Sequence, residues 1–100
     1  MLDIAVLQSV AEQMMESDQV VAGGKSFPVK RTTSKRLKTV GFEMNGRAYQ
    51  AIEQNPEKPS RWGQLARQGH RVVQFRDGGT GKYVAVAVDG EVREYPSHRE

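Results

Sequence analysis

The sequence predicts an α+β domain in which an N-terminal amphipathic helix accompanies an antiparallel sheet of about five strands. Three observations predict it. Leu2 to Ser17 contains no Gly or Pro and spaces Ile4, Leu7, Ala11 and Met14 at steps of 3, 4 and 3 residues, one stripe of a helix. Asn45-Gly46 and Asp89-Gly90 each divide a pair of alternating apolar runs, the strongest short-range hairpin signal. The resulting order, helix, hairpin, short helix and three-stranded meander, is an α+β pattern.

Within the first helix, Val6, Val10 and Met15 widen the stripe, while Gln8, Glu12, Gln13 and Glu16 lie away from it. Such a stripe must be covered. The expected cover is the protein's own sheet; the alternative is a second chain docked on Ile4, Leu7, Ala11 and Met14, which makes the helix a homodimer or protein-interaction surface. Glu12 and Glu16 stand one turn apart as like charges, so the helix depends on tertiary contacts to persist.

From Val20 to Ser34 the chain offers Gly23-Gly24, Pro28 and Thr32-Thr33-Ser34, laced with Lys25, Lys30 and Arg31. This composition predicts a mobile or edge segment with one short strand around Phe27 to Arg31. Beyond Leu37 the texture alternates. A two-residue turn at Asn45-Gly46 sets Met44 opposite Arg47, Phe42 opposite Tyr49, Val40 opposite Ala51 and Lys38 opposite Glu53. The aromatic and charged pairs in that register are each worth about 0.2–1 kcal/mol over Ala-Ala. Gly41 in mid-strand predicts a bulge, a bend or a close approach.

Asn55-Pro56 and Lys58-Pro59 end the second strand, because Pro donates no ladder hydrogen bond. A short helix follows, with Ser60 at its N-cap, Trp62, Leu65 and Ala66 on one face, and Gly69 at the position where a left-handed residue ends a helix. Strands are then expected over Arg71 to Arg76, Lys82 to Val88 and Glu91 to Tyr95, the last two joined at Asp89-Gly90. Val84 to Val88 is apolar on both faces, hence interior to the sheet. Pro96 closes the last strand, and Ser97 to Glu100 is expected to fray.

A chain of 100 residues fits one domain, here an acidic helix and connector over residues 1–22 followed by a basic-to-neutral α+β body over 23–100. With no Cys there is no disulfide framework, thiol nucleophile or thiolate metal site. The N-terminus carries Asp3 and no basic flank, so it does not read as a secretory leader, and no apolar run approaches about 20 residues; the expected location is cytoplasmic and no membrane contact is expected.

Catalytic signals are weak. Gly78-Gly79-Thr80-Gly81-Lys82 resembles the end of a phosphate-binding loop, but Arg76 stands where the motif needs Gly, and Tyr83 where it needs Ser or Thr. His70 and His98 have no acid at a helical ligand spacing, so neither a metal nor another cofactor is expected, and no small-molecule substrate suggests itself. A non-enzymatic binding module is the expectation.

Charge is the remaining clue. Residues 1–22 hold four acids and no Lys or Arg, and residues 23–48 hold seven bases and one acid. A basic neck of this kind fits an anionic polymer. Lys30, Arg31, Lys35, Arg36 and Lys38 are expected to contact nucleic acid, flanked by Arg61 and Arg67, with the acidic helix as the alternative internal counter-charge. The aromatic residues, Trp62 included, are expected to serve the core first, although exposed rings beside bases would form a stacking platform for single strands.

Overall fold

The computed structural model describes residues 2–95. Met1 and residues 96–100 lie outside the described residues, and with them the expectations for Pro96, His98 and the terminal tail.

The fold is α+β, with two helices and two antiparallel sheets of 2 and 6 strands among the described residues. Helix α1 (Ile4–Glu16) is followed by β1 (Gln19–Ala22), β2 (Lys25–Pro28), β3 (Lys30–Arg31), β4 (Lys38–Met44) and β5 (Arg47–Glu53). Helix α2 (Arg61–Arg67) then precedes β6 (Val72–Asp77), β7 (Tyr83–Val88) and β8 (Glu91–Glu94). The larger sheet runs β3-β4-β5-β6-β7-β8 in chain order, so every neighbour is a sequence neighbour and every pairing antiparallel.

Asp3 caps α1 by accepting from the Val6 N–H at 3.3 Å. Leu7, Val10, Ala11 and Met14 are buried in one core with Val40, Phe42, Phe75, Ala85 and Ala87 of the sheet. The cover expected of the stripe is therefore the protein's own sheet. Of the four stripe residues, Leu7, Ala11 and Met14 are buried and Ile4 is exposed.

Segment 19–28 forms a hairpin where the sequence predicts a mobile or edge segment with one short strand around Phe27 to Arg31. Gly23 and Gly24 both adopt positive φ, 59° and 77°, and turn β1 onto β2 with Val20 facing Phe27. Gly-Gly supplies a two-residue hairpin turn as readily as Asn-Gly does. The hairpin crosses the boundary placed between residues 22 and 23, so the acidic head and basic neck share one structural unit.

The turns at Asn45-Gly46 and Asp89-Gly90 have positive φ at both positions. Their strands pair as expected, with Phe42 opposite Tyr49 and Val86 opposite Arg93. Phe42 stacks on Tyr49 at 6.0 Å and meets Phe75 edge-on at 6.3 Å, which fixes the centre of the core. Gly41 pairs regularly with Gln50; the sheet's irregularity lies instead between Phe75 and Arg76, against β7. The expected Lys38–Glu53 ion pair is replaced by two other contacts. The Lys38 backbone N–H donates to Glu53 at 2.9 Å, while its ammonium donates to the Met15 carbonyl at the end of α1, also at 2.9 Å.

Helix α2 is capped by Ser60, which accepts from the Gly63 N–H at 3.2 Å. It ends with Gly69 at φ 96° and the bonds His70 N–H to Leu65 C=O and Gly69 N–H to Ala66 C=O, the Schellman arrangement. Gly63 is required by packing: a Cβ there would lie 2.1 Å from the Lys58 carbonyl oxygen.

Candidate functional site

Strand alternation divides the large sheet into two faces. The inner face, bearing Val40, Phe42, Ala51, Phe75 and Ala87, packs under α1 and the β1–β2 hairpin. On the outer face one row crosses all six strands in register: Lys30, Thr39, Ile52, Gln74, Val86 and Arg93. At 4.7–4.9 Å per strand the row spans about 24 Å. Helix α2 covers its β7–β8 end, where Trp62 and Leu65 line a cleft of about 240 Å³ with Val86 and Val88.

Beside α2 the outer face opens into a groove of about 680 Å³ whose walls include Trp62, Tyr83, Tyr95, Gln74, Lys58 and Lys82. No carboxylate is among the described residues that line it. Tyr83 is 47% exposed. Trp62 meets Tyr95 edge-on at 6.2 Å and carries the Arg61 guanidinium 5.1 Å from its ring centre, a cation–π contact. The Tyr95 phenol is pushed above its ordinary value, first by burial and also by the neighbouring Tyr83, against a lowering hydrogen bond to Gln74.

Next to the groove, Arg76 donates from Nε to Gln50 Oε1 at 3.0 Å, with Nη2 directed to the same oxygen. Gly41 lies on the far side of Gln50, and a Cβ built on it meets nothing within 4 Å. The neutral partner orients the guanidinium without neutralising it. Lys30, Lys58, Arg61, Arg76 and Lys82 make no ion pair among the described residues.

The residues expected from sequence to bind nucleic acid are dispersed. Lys30 stands at one end of the outer row and Arg61 at the lip of the α2 cleft. Arg31 alternates to the opposite face and donates to the Arg36 carbonyl at 3.3 Å. Lys35 pairs with Glu57, which holds that carboxyl below its ordinary range. Arg36 occupies a left-handed conformation at φ 56° in the loop after β3. Lys38 is committed to α1, and Arg67 ties down the preceding loop by donating to the Pro56 carbonyl and, at 3.0 Å, to that of Lys58. Both make hydrogen bonds within the fold.

The acids of α1 do not neutralise the neck. Lys25 pairs with Glu43 at 3.2 Å and Lys35 with Glu57, while Glu16 reaches Arg71 at 3.6 Å. Residues 2–22, which contain no Lys or Arg, belong to the layer on the inner face. Lys30, Lys58, Arg61, Arg76 and Lys82 border the outer face.

Tyr83, Tyr95, Gln74, Arg76, Lys58 and Lys82 were not among the expected site residues. The signal was strand parity: with Val73 and Phe75 inward, Gln74 and Arg76 must face outward.

Among the described residues, no group of three or more His, Cys, Asp or Glu is placed to hold a metal ion. His70 lies 2.7 Å from Asp89, whose carboxyl is lowered first by the Arg71 backbone N–H and then by His70. No helix among the described residues is long and apolar enough to cross a membrane. Comparison of the chain with family models, curated proteins and solved structures found no match.

Proposed function

We propose that this protein is a non-catalytic, cytoplasmic binding module that holds single-stranded nucleic acid across the outer face of its large sheet, in the groove beside α2. One observation carries the reading: the groove joins the rings of Trp62, Tyr83 and Tyr95 to the ammonium groups of Lys58 and Lys82, with no lining carboxylate among the described residues. Unpaired bases stack on such rings while cations follow the phosphates, and stacking is worth about 1–3 kcal/mol per base. Arg61 and Arg76 extend the cationic border, and Lys30 lies at the far end of the outer row. The acidic α1 layer opposite orients the molecule toward a polyanion and favours approach by the outer face.

Fluorescence anisotropy of labelled single- and double-stranded oligonucleotides, titrated at low and near-physiological salt, tests the proposal. Single strands are expected to bind more tightly, and affinity to fall steeply with salt. Replacing one phosphate-contacting base, by Lys82→Ala or Arg76→Ala, is expected to flatten the slope of log affinity against log salt by about 0.7. Lack of binding at low salt, where a phosphate surface is strongest, overturns it.

A further inference from the structure

A directed chain of hydrogen bonds runs into the wall of this groove. It begins at the Asn55 backbone carbonyl, a group that only accepts. Gln54 Nε2 donates to it at 3.1 Å, so Gln54 presents its Oε1 to the next residue. Gln74 Nε2 donates to that oxygen at 2.8 Å, which leaves Gln74 Oε1 as an acceptor for the Tyr95 hydroxyl. Each amide orientation follows from the one before, and the backbone carbonyl fixes the first.

Gln74 is 8% exposed, and its amide is held between Gln54 and Tyr95. The consequence falls on Tyr95. Like any tyrosine it is protonated at neutral pH, and its one proton is given to Gln74. What its oxygen has left for a ligand is lone pairs.

We infer, resting on the nucleic-acid reading above, that the Tyr95 hydroxyl oxygen accepts a hydrogen bond from the exocyclic amino group of a base held in the groove, so that the site prefers amino-bearing bases to those with a carbonyl at that position. A carbonyl there places two acceptors against each other. A base offering a donor completes the chain from Asn55 outward, and the ring contacts of Trp62 and Tyr83 remain indifferent to base identity.

Oligodeoxycytidine and oligodeoxyuridine of equal length test the inference, since the rings differ at C4, amino in one and carbonyl in the other, and at N3. Anisotropy titrations of the full chain are expected to show oligodeoxycytidine binding roughly threefold to tenfold more tightly, the range for one hydrogen bond. Tyr95→Phe, which keeps the ring against Trp62, is expected to bring that ratio to about one. If both oligomers bind the native protein equally, or the uridine oligomer binds better, the base preference is wrong and the groove reading survives. If neither binds at low salt, the nucleic-acid reading itself fails. The native ratio decides the inference even where Tyr95→Phe does not fold, and a ratio retained in a folded Tyr95→Phe protein overturns the role of that hydroxyl.

Discussion

Gln13 closes the open edge of the small sheet by pairing with Val21 as a neighbouring strand would. The Val21 N–H donates to Gln13 Oε1 at 2.8 Å, and Gln13 Nε2 donates to the Val21 carbonyl at 3.0 Å. Val21 faces Ser26, one position from the pair at the turn, so its backbone groups point away from β2. Ser17 does the same for Gln19, donating to its carbonyl at 2.6 Å and accepting from its N–H at 3.3 Å. A helix that supplies four core residues thus also guards an edge beside the 57%-exposed side chain of Val21.

Gln13→Ala is therefore expected to cost about 1 kcal/mol, because water replaces part of the lost pairing, and to expose an edge that recruits other strands. Denaturant unfolding measures the first effect. Sedimentation velocity at rising concentration measures the second, and a strictly monomeric Gln13→Ala, Ser17→Ala protein would argue against edge protection.

Gly63 and Gly41 are expected to respond oppositely to Ala. At Gly63 the new methyl would lie 2.1 Å from the Lys58 carbonyl oxygen, so α2 must shift, at about 1–3 kcal/mol. At Gly41 the space is open, and the change should stay within about 1 kcal/mol, the span of strand propensities. Paired thermal melts of the two variants provide the comparison.

Lys38 distinguishes a structural base from a binding one. Lys38→Met removes the ammonium from the Met15 carbonyl and is expected to lower stability by about 0.3–1 kcal/mol, as a cation lost from a helix C-terminus does. Its salt dependence of oligonucleotide binding should match that of the native protein. A flattened slope would place Lys38 on the phosphates after all.

Leu7→Ala should unfold the domain more easily, by about 2–5 kcal/mol, without changing the mass of the folded species. Its side chain is fully buried against the sheet, so the loss is one of core packing. Analytical ultracentrifugation under native conditions checks the mass, and a dimer that dissociates in the variant would restore α1 as an interface.

Acid should remove the contribution of Asp89. Its carboxyl is held below the ordinary value, first by the Arg71 N–H and then by His70, so the unfolded chain binds its proton at higher pH than the native one. The contribution is complete above the ordinary Asp value, about 3.9, and is lost as pH falls below that through the lowered native value. The stability difference between the native protein and Asp89→Asn should shrink over that interval, as followed by urea unfolding at successive pH values.

Much of the fold was readable because its signals are local. Asn45-Gly46 and Asp89-Gly90 fix two registers, and Ser60 and Gly69 bracket α2. The β1–β2 hairpin escaped because Gly23-Gly24 sits among bases and loop residues, and its strands lack a long alternating pattern; Val20 is buried in a core it shares with Val40, Phe42 and Phe75 of the large sheet, partners distant in sequence. The site was less readable than the fold. Charge density pointed to residues 30–38, yet Lys38 and Lys35 are occupied by Met15 and Glu57, and no local pattern announces either contact. The groove gathers Lys58, Trp62, Gln74, Tyr83 and Tyr95 from separate elements, and only the three-dimensional register brings them together.

Trp62 is the single tryptophan of the chain and part of the groove wall, so its emission reports on occupancy of the proposed site directly. The decisive measurement is a titration of Trp62 fluorescence with oligodeoxycytidine at low salt, repeated at near-physiological salt. Saturable quenching that weakens as salt rises, and that Tyr83→Ala or Lys82→Ala diminishes, is the expected result. An emission unchanged by the oligonucleotide at low salt would contradict binding in the groove.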